Sequence, residues 1–132
     1  MDLQKWLERG KYISAEIIEL REAKRFAMAA ATSKTQKWGT ANAPCGAKAF
    51  TRVAELSMKI DEKIVKLTEI QLEIISAIYK VEDIGCRTLL LARYINLKSW
   101  GEIAKELSYS DKWVRNTLHP RALKALEERM EW

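Results

Sequence analysis

From Val53 onward every seventh residue is apolar: Val53, Ile60, Leu67, Ile74 and Val81. Leu56, Ile64, Ile70 and Ile78 fill the intermediate positions, so a helix from about residue 48 to 81 carries a near-heptad seam along one side. At 1.5 Å per residue such a helix is ~50 Å long. A chain of 132 residues is too short to wrap a globule around a rod of that length, so the seam calls for a partner. Residues 2–31 offer one. Leu3, Trp6, Leu7, Ile13, Ile17, Leu20 and Ala27 recur at spacings of three and four, and mixed charges such as Lys5, Glu8, Arg9, Glu16, Arg21 and Glu22 lie between them. Gly10 weakens this helix by about 1 kcal/mol relative to alanine, so a bend is expected early in it. The two segments predict a long antiparallel, coiled-coil-like hairpin. Apolar surface left over would pair two copies as a homodimer, the alternative being a hairpin closed on itself.

Between the two helices the texture changes. Residues 32–50 hold Pro44, Gly39, Gly46, small polar residues and three lysines with no acid, and they read as a loop. Lys34, Lys37 and Lys48 around Trp38 have the chemistry to touch nucleic acid, although a flexible solvated linker is the commoner explanation of such a stretch.

Composition narrows the function classes. Hydrophobic residues at 48% with 31% charged describe a folded chain, and five glycines with two prolines leave room for long uninterrupted helices. Cys45 and Cys86 lack CxxC spacing and stand far from His119, the only histidine, so no metal site is written and no cofactor is expected. Two reduced cysteines, an N-terminus without an apolar signal core, and no run approaching ~20 apolar residues point to a cytoplasmic protein away from membranes. A glycine-rich phosphate loop is missing, as is a nucleophile paired with the histidine, so neither an enzyme nor a small-molecule substrate is expected.

After Val81 the pattern becomes a series of short helices. Leu89, Leu90, Ala92, Tyr94 and Ile95 suit a buried helix ending near Asn96. Ser99 stands three residues before Glu102, an S-x-x-E capping box that starts a helix over Trp100–Leu107, with Ile103, Ala104 and Leu107 on its inner face. Ser108, Tyr109 and Ser110 make a turn, and Ser110 is placed to cap a further helix from Asp111. There Val114 and Leu118 point inward, and Lys112, Arg115, Asn116 and His119 point out. Two short helices across a tight turn, the second with basic and amide residues outward, follow helix-turn-helix logic. Lys112, Arg115 and Asn116 are the candidates for base contacts, since arginine and lysine donate to guanine O6 and N7 and asparagine pairs with adenine. Ser99, Ser110, His119, Arg121 and Lys124 are candidates for the phosphate backbone, and Trp113 either covers the core or lies on the backbone. Pro120 ends this helix or opens the next. Charge supports the location: residues 111–125 carry Lys112, Arg115, Arg121 and Lys124 against Asp111 alone.

The stretch from Arg87 to Leu126 resembles region 4 of the sigma-70 family. It has a leucine-rich helix ending in Arg93-Tyr94-Ile95, then Glu102-Ile103-Ala104 and Leu107, a Ser110-capped helix with Val114-Arg115, and a closing Ala122-Leu123 with Leu126. Ser108 replaces the usual turn glycine, the segment after Arg115 is one residue longer than the pattern, and no sigma region 2 or 3 is present. A helical hairpin before a lone region-4-like domain is similar to small phage-encoded transcriptional regulators of Gram-positive hosts, of the autolysin-regulator and late-gene-activator type. The resemblance implies a DNA-binding regulator of phage or prophage genes acting beside host RNA polymerase. An RNA polymerase-binding adaptor or inhibitor without base readout, and a small terminase-like DNA-packaging subunit, are the alternatives. The expected organisation is all-α, with a self-associating hairpin over residues 1–81 and a helix-turn-helix domain over 82–132.

Overall fold

The computed structural model describes residues 2–38 and 44–130, with side chains omitted for 33–38 and 44–47. Every regular element among the described residues is helical. The fold is all-α, with a bent N-terminal helical hairpin and a C-terminal helical subdomain. Its packing divides into two compact units, residues 13–67 and residues 1–12 together with 68–132.

Helix α1 covers Leu3–Leu7, with the Asp2 carboxylate accepting from the backbone N–H groups of Gln4 and Lys5. It breaks at Glu8, two residues before the glycine that suggested a bend, and α2 then runs Arg9–Trp38. The Arg9 side chain bridges the break: its Nε donates to the Trp6 carbonyl at 3.0 Å, and its guanidinium lies 4.8 Å from the Trp6 ring centre.

Helix α3 runs Pro44–Ile78, so the connection expected over 32–50 is much shorter. Lysine, glutamine and threonine after Ala31 are tolerable helix formers, and no glycine or proline intervenes before Gly39. Thr32 keeps its hydroxyl inside the helix by donating to the Met28 carbonyl at 2.9 Å. Pro44 takes the first helical position, where its missing N–H is no loss. The remainder of the expected loop, residues 39–43, lies outside the described residues, as do the side chains of Lys34, Lys37 and Trp38. Lys48 stands exposed on α3.

Within the 13–67 unit, Ile17 and Ala31 of α2 and Val53 and Ile60 of α3 are buried, and Leu56, Ile64 and Leu67 are half-buried. These α3 residues are the seam positions read from the seven-residue repeat. Lys63 Nζ pairs with Glu16 at 2.8 Å, and this contact, with Lys66 and Lys59 nearby, holds the Glu16 carboxyl below its ordinary value.

The other unit reaches further back in the chain than residue 82. Its core combines Leu3 and Leu7 of α1 with Ile74, Ala77 and Ile78 at the end of α3, Val81, and the C-terminal helices. Arg87 fixes the chain after α3 by donating from Nε and Nη2 to the Val81 carbonyl at 3.0 and 2.7 Å. Asp83 caps α4 (Ile84–Leu90), accepting from Cys86 N–H at 3.1 Å. Cys86 is a buried free thiol, and burial raises its pKa. Helix α4 continues as a π-helical turn over Leu91–Ile95 and stops at Asn96, where the sequence placed its end.

Helix α5 (Trp100–Leu107) and helix α6 (Asp111–Trp113) begin where expected. After α6 the chain widens into a π-helical turn, Val114–Leu118, and continues as α7, His119–Arg129. A π-helical turn accommodates one extra residue without ending a helix. Pro120 falls in the first turn of α7, where its ring and missing N–H are tolerated.

Candidate nucleic-acid interface

Helix α6 itself is at most half-buried, at Trp113, and the inward-facing residues lie in the π-helical turn that follows it. Val114 and Leu118 join Ile103 and Ala104 of α5 and Ala122 and Leu126 of α7 in the core. Ala104 is 4% exposed within this core. Leu107 and Trp113 pack half-buried at the edge.

Each end of this pair of helices is fixed by a serine. Ser99 Oγ accepts from Glu102 N–H at 3.2 Å and donates to the Glu102 carboxylate at 3.1 Å. The expected capping box therefore closes through the hydroxyl, whereas the carboxylate was expected to reach the Ser99 backbone N–H. Ser110 Oγ accepts from Trp113 N–H at 3.1 Å and starts α6. Between them Ser108 adopts the left-handed conformation, φ 61° and ψ 38°, at the end of α5. The turn reverses the chain in three residues, and the Tyr109 ring packs 4.3 Å from that of Trp113.

Lys112 of α6 and Arg115 and Asn116 of the π-helical turn are all exposed. Arg115 Nη2 lies 3.3 Å from Asp111 in an ion pair with both side chains about half exposed. Such a pair contributes little, roughly 0–1 kcal/mol, so the guanidinium can exchange it for another acceptor at small cost. Arg121 and Lys124 are exposed on α7, and Ser99 and Ser110 remain at the surface while serving as caps. Trp113 belongs to the edge of the core with one face against Tyr109.

His119 does not belong to this surface. It is 8% exposed, and its Nε2 shares a 2.6 Å hydrogen bond with the Tyr94 hydroxyl. The Trp100 ring meets it edge-on at 4.7 Å, and the Arg93 guanidinium lies 4.3 Å from the centre of Trp100 while donating to the Lys98 carbonyl. A continuous α-helix from Asp111 predicts His119 outward with Lys112, Arg115 and Asn116. The π-helical turn changes that register and rotates the imidazole inward. Burial, then the Arg93 charge, lowers the His119 pKa, with Glu8 opposing. Burial, reinforced by Glu8 and opposed by Arg93, pushes the Tyr94 hydroxyl up to about 12. The pair is thus neutral and fastens the α6–α7 segment to the π-helical turn after α4.

Tyr94 and Tyr109 are the residues of this region whose parts were not legible beforehand. Tyr94 matched the family pattern only as a core residue. Tyr109 was read as part of a turn, yet half of its ring faces solvent beside the capped start of α6. An aromatic between two capping serines is the signal that marks it.

Chemically, Lys112, Arg115 and Asn116 offer two cationic donors and one amide to solvent, and Arg121 and Lys124 are further exposed cations on α7. Among the described residues no cluster of His, Cys, Asp and Glu could hold a metal, and no helix is long and apolar enough to cross a membrane. Comparison with protein families, with curated proteins and with solved structures finds no match to this chain.

Proposed function

We propose that this chain is a sequence-specific DNA-binding transcriptional regulator in which α5 and α6 act as a helix-turn-helix and the coiled-coil-like hairpin pairs two readers. The observation that carries the reading is the side of α6 and the turn after it. Lys112, Arg115 and Asn116 are exposed on a segment in which Val114 and Leu118 are buried and whose start is capped by Ser110. In this arrangement α6 enters the major groove, and α5 crosses the backbone with Ser99 at its leading end. Arg115 and Lys112 donate to guanine edges, Asn116 pairs with adenine, and Arg121 and Lys124 lie near phosphates. The resemblance to sigma-70 region 4, and to small phage regulators that carry it alone, adds the setting of phage or prophage transcription beside host RNA polymerase.

The test is binding to a duplex selected by the protein from random DNA, measured over a range of salt. Arg115→Ala should weaken binding to the selected site by about 1–3 kcal/mol and relax specificity, while Lys124→Ala should weaken all sequences alike and flatten the salt dependence. Equal affinity of Arg115→Ala and wild type across the salt series removes Arg115, and with it this mode of reading.

A further inference from the structure

Two surfaces of the 13–67 unit complement one another. The first is the outer side of α3, where Met58 and Val65 stand seven residues apart and are 66% and 58% exposed. At ~100° per residue, Glu55 and Glu62 flank them on one side and Asp61 on the other. Lys59 and Lys66 lie about a quarter-turn round from Met58 and Val65, next beyond the glutamates, on the side where they act on Glu16. The arc is therefore apolar and acidic.

The second surface is a groove of about 650 Å³ between α2 and α3. Arg21, Lys24 and Arg25 line it with Met28, Ile60 and Ile64. Glu22 pairs with Arg25 inside the chain, and Asp61 belongs to both the groove and the arc. The groove is apolar and predominantly basic.

We propose that a second copy of this chain occupies the groove: the Glu55–Met58–Glu62–Val65 arc of each copy lies against the Arg21–Lys24–Arg25 groove of the other. Apolar exposure alone would not identify an occupant, but the charges do. A basic groove with an apolar base suits a helix that is both acidic and apolar, and the chain presents such a helix beside the groove itself. Because the two surfaces adjoin through Asp61, a two-fold axis allows both halves of the contact to form at once, residue i meeting j as j meets i. Opposite charges favour this pairing, whereas arc-on-arc or groove-on-groove contact sets like charges together. The inference rests on the paired-reader proposal and names the surface that does the pairing.

Reciprocity makes it testable on the full-length protein. Glu55→Lys/Glu62→Lys leaves both surfaces basic, and Arg21→Glu/Lys24→Glu leaves both acidic, so each variant should self-associate about tenfold or more weakly than wild type in sedimentation equilibrium. An equimolar mixture should recover the dimer, because each variant then supplies what the other lacks. Circular dichroism matching wild type establishes that both variants are folded, and recovery in the mixture does so independently. A monomeric wild type, unchanged self-association of either variant, or a mixture that stays monomeric overturns the proposal, and binding of an acidic foreign protein instead appears as the first of these. Both variants should still bind a duplex bearing a single half-site, so failure of the pairing surface is distinguished from failure of DNA reading.

Discussion

Tyr94→Phe removes one oxygen and retains the ring, which isolates the hydrogen bond to His119. Tyr94 is 5% exposed and His119 8%, so both partners of the bond are buried. Leaving a buried polar nitrogen unpaired costs about 1–3 kcal/mol, more than the net value of the bond, whereas replacing both partners with apolar groups recovers part of the loss. Urea unfolding followed by circular dichroism should therefore place Tyr94→Phe about 1–3 kcal/mol below wild type. A cycle with His119→Leu should give a coupling of about 1 kcal/mol, the double variant losing less than the two single variants together. The same pair predicts a pH dependence. His119 is the only histidine in the chain, and its pKa in the folded protein is lowered from 6.5. Below that value the unfolded chain takes up a proton that the folded protein refuses, so stability is full above about pH 6.5 and falls as pH drops towards the folded pKa. The slope cannot exceed about 1.4 kcal/mol per pH unit, and His119→Leu should abolish it between about pH 7.5 and 5.5. Stability of Tyr94→Phe within about 0.5 kcal/mol of wild type, together with a pH slope that His119→Leu leaves intact, would refute the neutral buried pair.

Two further perturbations address the turn that places α6. Ser108 holds a left-handed conformation that costs an L-residue roughly 1 kcal/mol, so Ser108→Gly should stabilise the protein by about 0.5–1 kcal/mol in urea unfolding without weakening DNA binding. A loss of stability would mean that the serine side chain does more there than fill the turn. Ser110→Ala deletes the acceptor for Trp113 N–H and should cost about 1 kcal/mol of stability and weaken DNA binding as the start of α6 frays. Binding and unfolding curves superimposable on wild type would show that the cap does not position the helix.

Particular residues explain how much of this was legible in the sequence. The seven-residue repeat found Val53, Ile60, Ile74 and Val81, all buried, because a periodic apolar stripe records which side of a helix faces inward. Ser99 and Ser110 announced the starts of α5 and α6 because a cap is local chemistry, decided within three or four residues. Outcomes that depend on distant packing were not written locally. Burial of Leu3 and Leu7 with the C-terminal helices joins opposite ends of the chain, which no window of neighbouring residues contains. Beyond Ala31 the polar composition reads as a loop but is equally compatible with a helix, and α2 continues to Trp38. His119 was misplaced by a one-residue change of helical register, small in sequence and sufficient to turn a side chain from solvent to core. In the candidate interface, Lys112, Arg115 and Asn116 stand exposed as their spacing suggested, because Val114 and Leu118 fix the inner side.

The most direct test of DNA reading by α6 is selection of bound duplexes from random DNA with wild type and Arg115→Ala in parallel, each winning sequence then footprinted. The account predicts that wild type enriches a two-fold repeated site, that protection covers both halves, and that Arg115→Ala loses preference at one position in each half. Enrichment of no sequence by the folded wild-type protein, or an identical site selected by both proteins, would contradict it.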